Sequence, residues 1–263
     1  MLEVEPPRPL VAGRRLACWA VEGIGEVTPG QDLALLCRSP LQNAGGLEPW
    51  DVVLVTHKVI SKSEGRTLLL EDVVPGDVAV AIGQRVGQDP RMVEVILRES
   101  RAVIRAEPGV LVTETVQGFI CANAGVDRSN VGGGSEVTCL PLDPDGSAAS
   151  LREVWLDLAG GGPLGVIVTD TFGRPFREGA VNVAIGVAGI PALSDHRGLF
   201  DERGYLLHAS TIGTADEIAG IGELVMGKLD GIPLAVVRGF TWSGPEAGAQ
   251  ALLRPEAKDI FRR

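Results

Sequence analysis

Two segments carry residue types arranged for chemistry. The run Gly118-Phe-Ile-Cys-Ala-Asn-Ala-Gly-Val-Asp-Arg-Ser-Asn130 is small and apolar as far as Val126, then polar at Asp127, Ser129 and Asn130. A carboxylate and a carboxamide one helical turn apart at one rim supply the oxygen donors that hard divalent cations and their phosphates need. An ordinary Asx turn after a strand is the competing reading. The second run, Pro163-Leu-Gly-Val-Ile-Val-Thr-Asp-Thr-Phe-Gly-Arg-Pro-Phe-Arg177, has the same design. Val166 to Val168 read as a buried strand, Asp170 and Thr171 as oxygen donors at its end. Arg174 and Arg177 are two guanidinium forks able to hold phosphate or carboxylate. Here the competing reading is a capped turn with surface ion pairs. Two apolar runs, each ending in Asp plus a second oxygen donor, favour one shared site over two coincidences.

Other charged residues are weaker signals. Lys58 and Lys62 flank the end of an apolar run, where a lysine can meet phosphate and more often meets only water. Gly227 and Lys228 sit in a turn that could approach a phosphate or could simply end a helix. There is no G-x-x-x-x-G-K-[ST] motif and no dinucleotide fingerprint.

The elements that must position these groups follow from pattern. Asp51 to Ile60 is β-branched and apolar and predicts a strand. Asp89 and Pro90 open a helix, Asp as cap and Pro in the first turn, with Val93, Ile96, Leu97 and Ile104 as its stripe to about Arg105. Ser150 and Glu153 have capping-box spacing before Trp155, as do Thr214 and Glu217 before Ile218, Ile221, Val225 and Leu229. Ala180 to Ile190 reads as a small-residue strand packed closely on another backbone, and Leu234 to Val237 as a further strand. Gln42 to Gly46, Gly132 to Gly134 and Gly160 to Gly162 read as loops. Strands and helices alternate without clean βαβ units, which predicts an α+β fold with mixed sheets.

Bulk properties exclude several classes. A net charge of −10 opposes non-specific binding to nucleic acid or anionic lipid, and 4% aromatic residues leave little to stack on bases. No apolar run is long enough to span a membrane. The N-terminus lacks a basic region followed by an apolar one, so no signal peptide is expected. Cys18, Cys37, Cys121 and Cys139 lack metal-knuckle spacing and read as buried free thiols of a cytoplasmic protein.

At these residues the chain resembles the F420-0:γ-glutamyl ligases. The resemblance rests on Gly23 to Leu33, Val59 to Gly65, Cys121 to Asn130, Thr169 to Arg177, Ala215 to Ala219, Glu223 to Gly227 and Leu253 to Arg262, and so covers nearly all of the 263 residues. It implies GTP-dependent ligation of L-glutamate to coenzyme F420-0 through an acyl phosphate, assisted by two divalent ions, Mg or Mn, and by K. The fold implied is α+β, one unit over residues 1–263 built of two unlike interleaved subdomains, in an intertwined homodimer. Residue by residue, the resemblance implies that Asp127 and Asp170 hold metal, with Thr171 on a second ion. It puts Asn130 and Lys62 on the nucleotide, and makes Ile24, Gly25, Glu26, Val27, His57, Met226, Gly227 and Lys228 nucleotide-binding. Asp127, Asp170 and Lys62 would form the catalytic set, with Arg174 and Arg177 on substrate.

Three positions depart from the family pattern. His57 stands in place of a small hydroxyl residue, Gly25 in place of proline, and Lys228 in place of a glutamine on the second metal. A charged lysine cannot ligate a cation, so Lys228 would neutralise phosphate or the second ion would be held otherwise. A ligase for another carboxylate or amino acid, and a catalytically silent nucleotide-binding relative, are the rival readings. The intact Asp127, Asn130, Asp170 and Thr171 oppose the silent one.

Overall fold

The computed structural model describes residues 15–128 and 135–260. Ser129, Asn130 and the glycines 132–134 therefore lie outside the described residues. Strand β1 (Ala17–Val21) is followed by two short helices, α1 (Leu33–Leu36) and α2 (Arg38–Asn43). Gln42 and Asn43, expected in a loop, thus close α2, and the loop is confined to the glycines after it. Next come β2 (Asp51–Thr56) and α3 (His57–Ser63).

The expected strand to Ile60 therefore stops at Thr56. Its strand pairing ends there too: Thr56, the last paired residue, is opposite Thr169, and its N–H bonds the Pro233 carbonyl. Beyond that point helical spacing buries His57, Ile60 and Ser61 together, and this packing outweighs the β propensity of Val59 and Ile60.

A second, smaller core follows. It comprises β3 (Thr67–Leu69), α4 (Asp77–Val86), α5 (Pro90–Arg98), β4 (Ser100–Glu107), β5 (Val110–Thr115), β6 (Ile120–Ala122) and β7 (Glu136–Thr138). Leu70, Val93, Ile96, Leu111, Val126 and Val137 are among its buried residues. Asp89 caps α5 as expected, accepting from the Arg91 N–H, with Pro90 in the first turn. The helix ends at Arg98, however, and not near Arg105. Val103 and Ile104 are drawn into β4, where Val103 pairs with Thr113 of β5 and Ile104 falls at an irregularity before the pairing resumes at Arg105; Ile104 is exposed.

The chain returns to the first core through α6 (Pro144–Trp155), β8 (Leu164–Arg174), β9 (Arg177–Ala188), the short pair β10 (Ser194–Asp195) and β11 (Thr211–Ile212), α7 (Thr214–Met226) and β12 (Leu234–Arg238). Neither expected capping box forms. Asp143 caps α6, accepting from the Gly146 N–H, with Pro144 behind it, so Ser150 lies mid-helix. Gly213 precedes α7, and the Thr214 hydroxyl pairs with Ser194 at 2.6 Å. The buried face of α7 is Ala215, Ile218, Ala219, Gly222 and Met226, while Leu229 lies past the helix and is exposed.

The main sheet has the order β1-β12-β2-β8-β9, with β2 and β8 parallel and the other neighbours antiparallel. The α+β class with mixed sheets is thus as expected. β2 and β8 read as continuous apolar runs because both faces are covered. The small residues of β9 do admit a close neighbour. A methyl group at Gly186 would lie 2.3 Å from the Pro144 carbonyl oxygen at the start of α6.

Candidate active site

A cavity of about 580 Å³ opens where the parallel strands β2 and β8 part. Its walls come from four places. The loop Ile24 to Val27 follows β1; Thr56, His57, Lys58, Val59 and Lys62 come from the end of β2 and from α3. Thr169, Asp170 and Thr171 lie on β8, with Asn182 beside them on β9. Glu223, Met226, Gly227, Lys228, Gly231 and Ile232 come from the end of α7 and the turn after it. A site at the carboxyl ends of parallel strands follows from the geometry, since neighbouring strands diverge there and expose backbone and short side chains.

Asp170 and Thr171 are placed differently from expectation. β8 does not end at them but runs on to Arg174, paired with β9 alone. What ends there is the neighbour, β2. Asp170 Oδ1 accepts from the Thr171 N–H at 2.7 Å. The Thr171 hydroxyl donates to Asn182 Oδ1 at 2.9 Å, so its lone pairs remain available. Thr169 is buried, and its hydroxyl has no hydrogen-bond partner.

The two lysines of α3 lie one turn apart and each meets a carboxylate. Lys62 Nζ is 2.5 Å from Glu26 Oε1, and Lys58 Nζ is 2.7 Å from Asp127 Oδ2. Asp127 also forms a backbone bridge with Thr138. Just before it, Asn123, Ala124 and Gly125 all have positive φ. That left-handed turn suits Gly125, where a Cβ would strike Leu140 at 2.8 Å. Asp127 does not itself line the cavity; Lys58 links it to the wall.

Arg174 and Arg177 are not brought to this site. They face each other at the far end of the β8–β9 hairpin, where Arg174 donates to the Gly179 and Glu178 carbonyls. Among the described residues, no three His, Cys, Asp or Glu side chains converge as a ready-made metal cluster. Oxygen donors are nonetheless present for a hard cation: the Asp170 carboxylate, the Thr171 hydroxyl and the unpartnered Thr169 hydroxyl.

Residues that sequence reasoning passed over are Thr56, Thr169, Asn182 and Glu223. Asn182 had a signal, a carboxamide between two valines in an otherwise small apolar strand. It is buried, and such a group needs a partner.

All four cysteines are free, as expected, though Cys18 is only half-buried. Burial, reinforced by the charge of Asp170, pushes the Cys121 thiol up to about 12, so it stays protonated near neutral pH. Cys121→Ala is expected to keep turnover within about threefold of the unaltered protein. Complete loss of activity in a folded variant would instead indicate a covalent thiol route.

The sequence matches the family model described as F420-0:Gamma-glutamyl ligase over residues 23–239. It is 44% identical over 246 residues to the coenzyme F420:L-glutamate ligase of Methanothermobacter thermautotrophicus, covering 92% of this chain and 97% of that protein. The Methanopyrus kandleri protein of the same name is 44% identical over 243 residues, 90% of this chain and 94% of its own. That of Archaeoglobus fulgidus is 42% identical over 250 residues, 95% and 97% of the two chains. Whole-length matches of this kind, over a cavity lined by the segments that carry the resemblance, establish that this chain is a ligase belonging to the F420-0:γ-glutamyl ligase family.

Proposed function

We propose that the protein joins L-glutamate to coenzyme F420-0 at the expense of GTP, through an acyl phosphate of the acceptor carboxylate. The observation that carries this reading is the gathering of Asp170, Thr171, Lys62 and residues of the turn Met226 to Ile232 around one cavity. Phosphoryl transfer asks chiefly for charge stabilisation and alignment, and these are the groups for it.

Lys62 and Lys58 would pair with phosphate oxygens, exchanging Glu26 and Asp127 for the ligand. The segments Ile24 to Val27 and Met226 to Lys228 offer backbone N–H and C=O groups to the nucleotide. Lys228, where some members of the family place glutamine, would add positive charge beside the phosphates. Asp127, Asp170 and Thr171 would hold Mg or Mn, which when bound supplies charge neutralisation at the phosphates; K is assigned to the same site. Among the described residues, nothing lining the cavity resembles an activated nucleophile, which favours direct attack of the acceptor carboxylate on the terminal phosphate. The glutamate amine then displaces phosphate and an amide remains. A homodimer and a cytoplasmic location belong to the same reading; no helix of the described residues is long and apolar enough to cross a membrane.

The test combines F420-0, glutamate, GTP and Mn, with F420-0 carrying heavy oxygen in its carboxylate. Glutamylated product by mass spectrometry, nucleoside diphosphate, and one heavy oxygen in the released phosphate are expected. Heavy oxygen in a nucleoside monophosphate would mean an adenylate-type intermediate and would overturn the route.

A further inference from the structure

His57 brings to the cavity wall a second buried polar atom, besides the Thr169 hydroxyl, that lacks a hydrogen bond. His57 is 1% exposed, and its Nε2 makes no hydrogen bond. Asp170 Oδ1 lies only 3.3 Å away, close enough for an ion pair, but the contact lacks the angles of an N–H donation. That oxygen also accepts from the Thr171 N–H, which leaves it a further lone pair. Leaving a buried polar atom unsatisfied is costly, so such an atom on a residue that lines the cavity points to a ligand.

The spacing suggests which ligand. Two donor atoms that each bind one cation at about 2.0–2.2 Å lie about 3 Å apart. Nε2 and Oδ1 have that separation. The other ring nitrogen, Nδ1, is 3.3 Å from Ser61 Oγ. A hydroxyl there can take the ring proton's hydrogen bond, fix the tautomer and leave the Nε2 lone pair toward Asp170. The Thr171 hydroxyl, its proton committed to Asn182, offers a further oxygen.

We propose that His57 Nε2 and Asp170 Oδ1 are joint ligands of a single divalent cation. The imidazole tilts that site toward a nitrogen-accepting first-row ion such as Co²⁺, Fe²⁺ or Zn²⁺ and away from Mg²⁺, which prefers an all-oxygen shell. This rests on the reading that Asp170 faces the cation of the reaction. It concerns a position where the family pattern has a small hydroxyl residue.

Electron spin-echo modulation of the full chain loaded with Mn²⁺ as probe is expected to show imidazole nitrogen coupling. His57→Ser is expected to remove it. In calorimetric titrations the same variant should weaken Co²⁺ binding by about 10–100-fold and Mg²⁺ binding by less than about threefold. Absence of nitrogen coupling in the unaltered protein, with Mn²⁺ binding still lost in Asp170→Asn, overturns the His57 assignment alone. Mn²⁺ affinity untouched by Asp170→Asn overturns the reading of Asp170 and this inference with it. Because the echo measurement needs no substitution at His57, it decides the question even if His57→Ser does not fold.

Discussion

Asp170→Asn is expected to lower turnover by about 10²–10³-fold in a protein that still folds, the scale on which one preorganised electrostatic group contributes to catalysis. The substitution keeps volume and shape. Its oxygen still accepts from the Thr171 N–H, and the strand pairing of Asp170 with Val183 is a backbone matter that the side chain does not alter. What disappears is a negative charge at the cavity wall, 14% exposed, beside the Thr171 hydroxyl. Weakened divalent-ion binding should accompany the loss, and far-ultraviolet circular dichroism with a melting curve separates it from unfolding. Asp127→Asn is expected to act in the same direction through its link to Lys58. Near-normal turnover in a folded Asp170→Asn protein would show that the cavity's chemistry has been misassigned.

The largest effect on stability is expected at the other end of β2. Asp51 is fully buried. Its carboxylate accepts from Arg238 Nε at 2.8 Å, from Arg238 Nη2 at 2.7 Å and from the Glu48 N–H at 2.8 Å. That fork first of all holds the Arg238 guanidinium above its usual pKa. Arg238 also meets Glu48 and lies over the Trp19 ring, so it ties β12, β1 and the approach to β2 together. Asp51→Ala leaves the guanidinium without its buried partner, with only the more exposed Glu48 to face it, and should cost about 3–5 kcal/mol. Adding Arg238→Met to Asp51→Ala should recover part of that, because the uncompensated charge goes with it. Chemical denaturation with unchanged slope reads both values. A loss below about 1 kcal/mol for Asp51→Ala would place this pair with the weak surface bridges.

Much of the fold was legible in residue patterns where one local signal had no rival. The apolar runs of β2, β8 and β12 could only be buried strands, and Asp89-Pro90 could only open a helix. Where two local signals competed, tertiary pairing decided. Val59 and Ile60 favour a strand by propensity, yet β2 stops at Thr56, where its pairing with β8 ends. Ile104 continues a helical stripe by spacing, yet it lies in β4, which pairs with β5. Ser150 and Thr214 have capping-box spacing, but Asp143 and Gly213 stand at the true boundaries.

The same division holds for the site. Asp127, Asp170 and Thr171 stood out by residue type, because carboxylates and hydroxyls at the rim of apolar runs demand a reason, whereas Lys62 was singled out only by the family resemblance. Which of them meet could not be read from order along the chain. Arg174 and Arg177, only a few residues past Asp170, are carried away from the cavity because β8 runs straight on into its hairpin. Asn182 and Glu223, far along the chain, are brought in by the pairing of β9 and the end of α7. Residue types determined what chemistry was possible. The parting of β2 from β8 decided which residues could share it, since spacing along a strand measures reach in one direction and a cavity needs three.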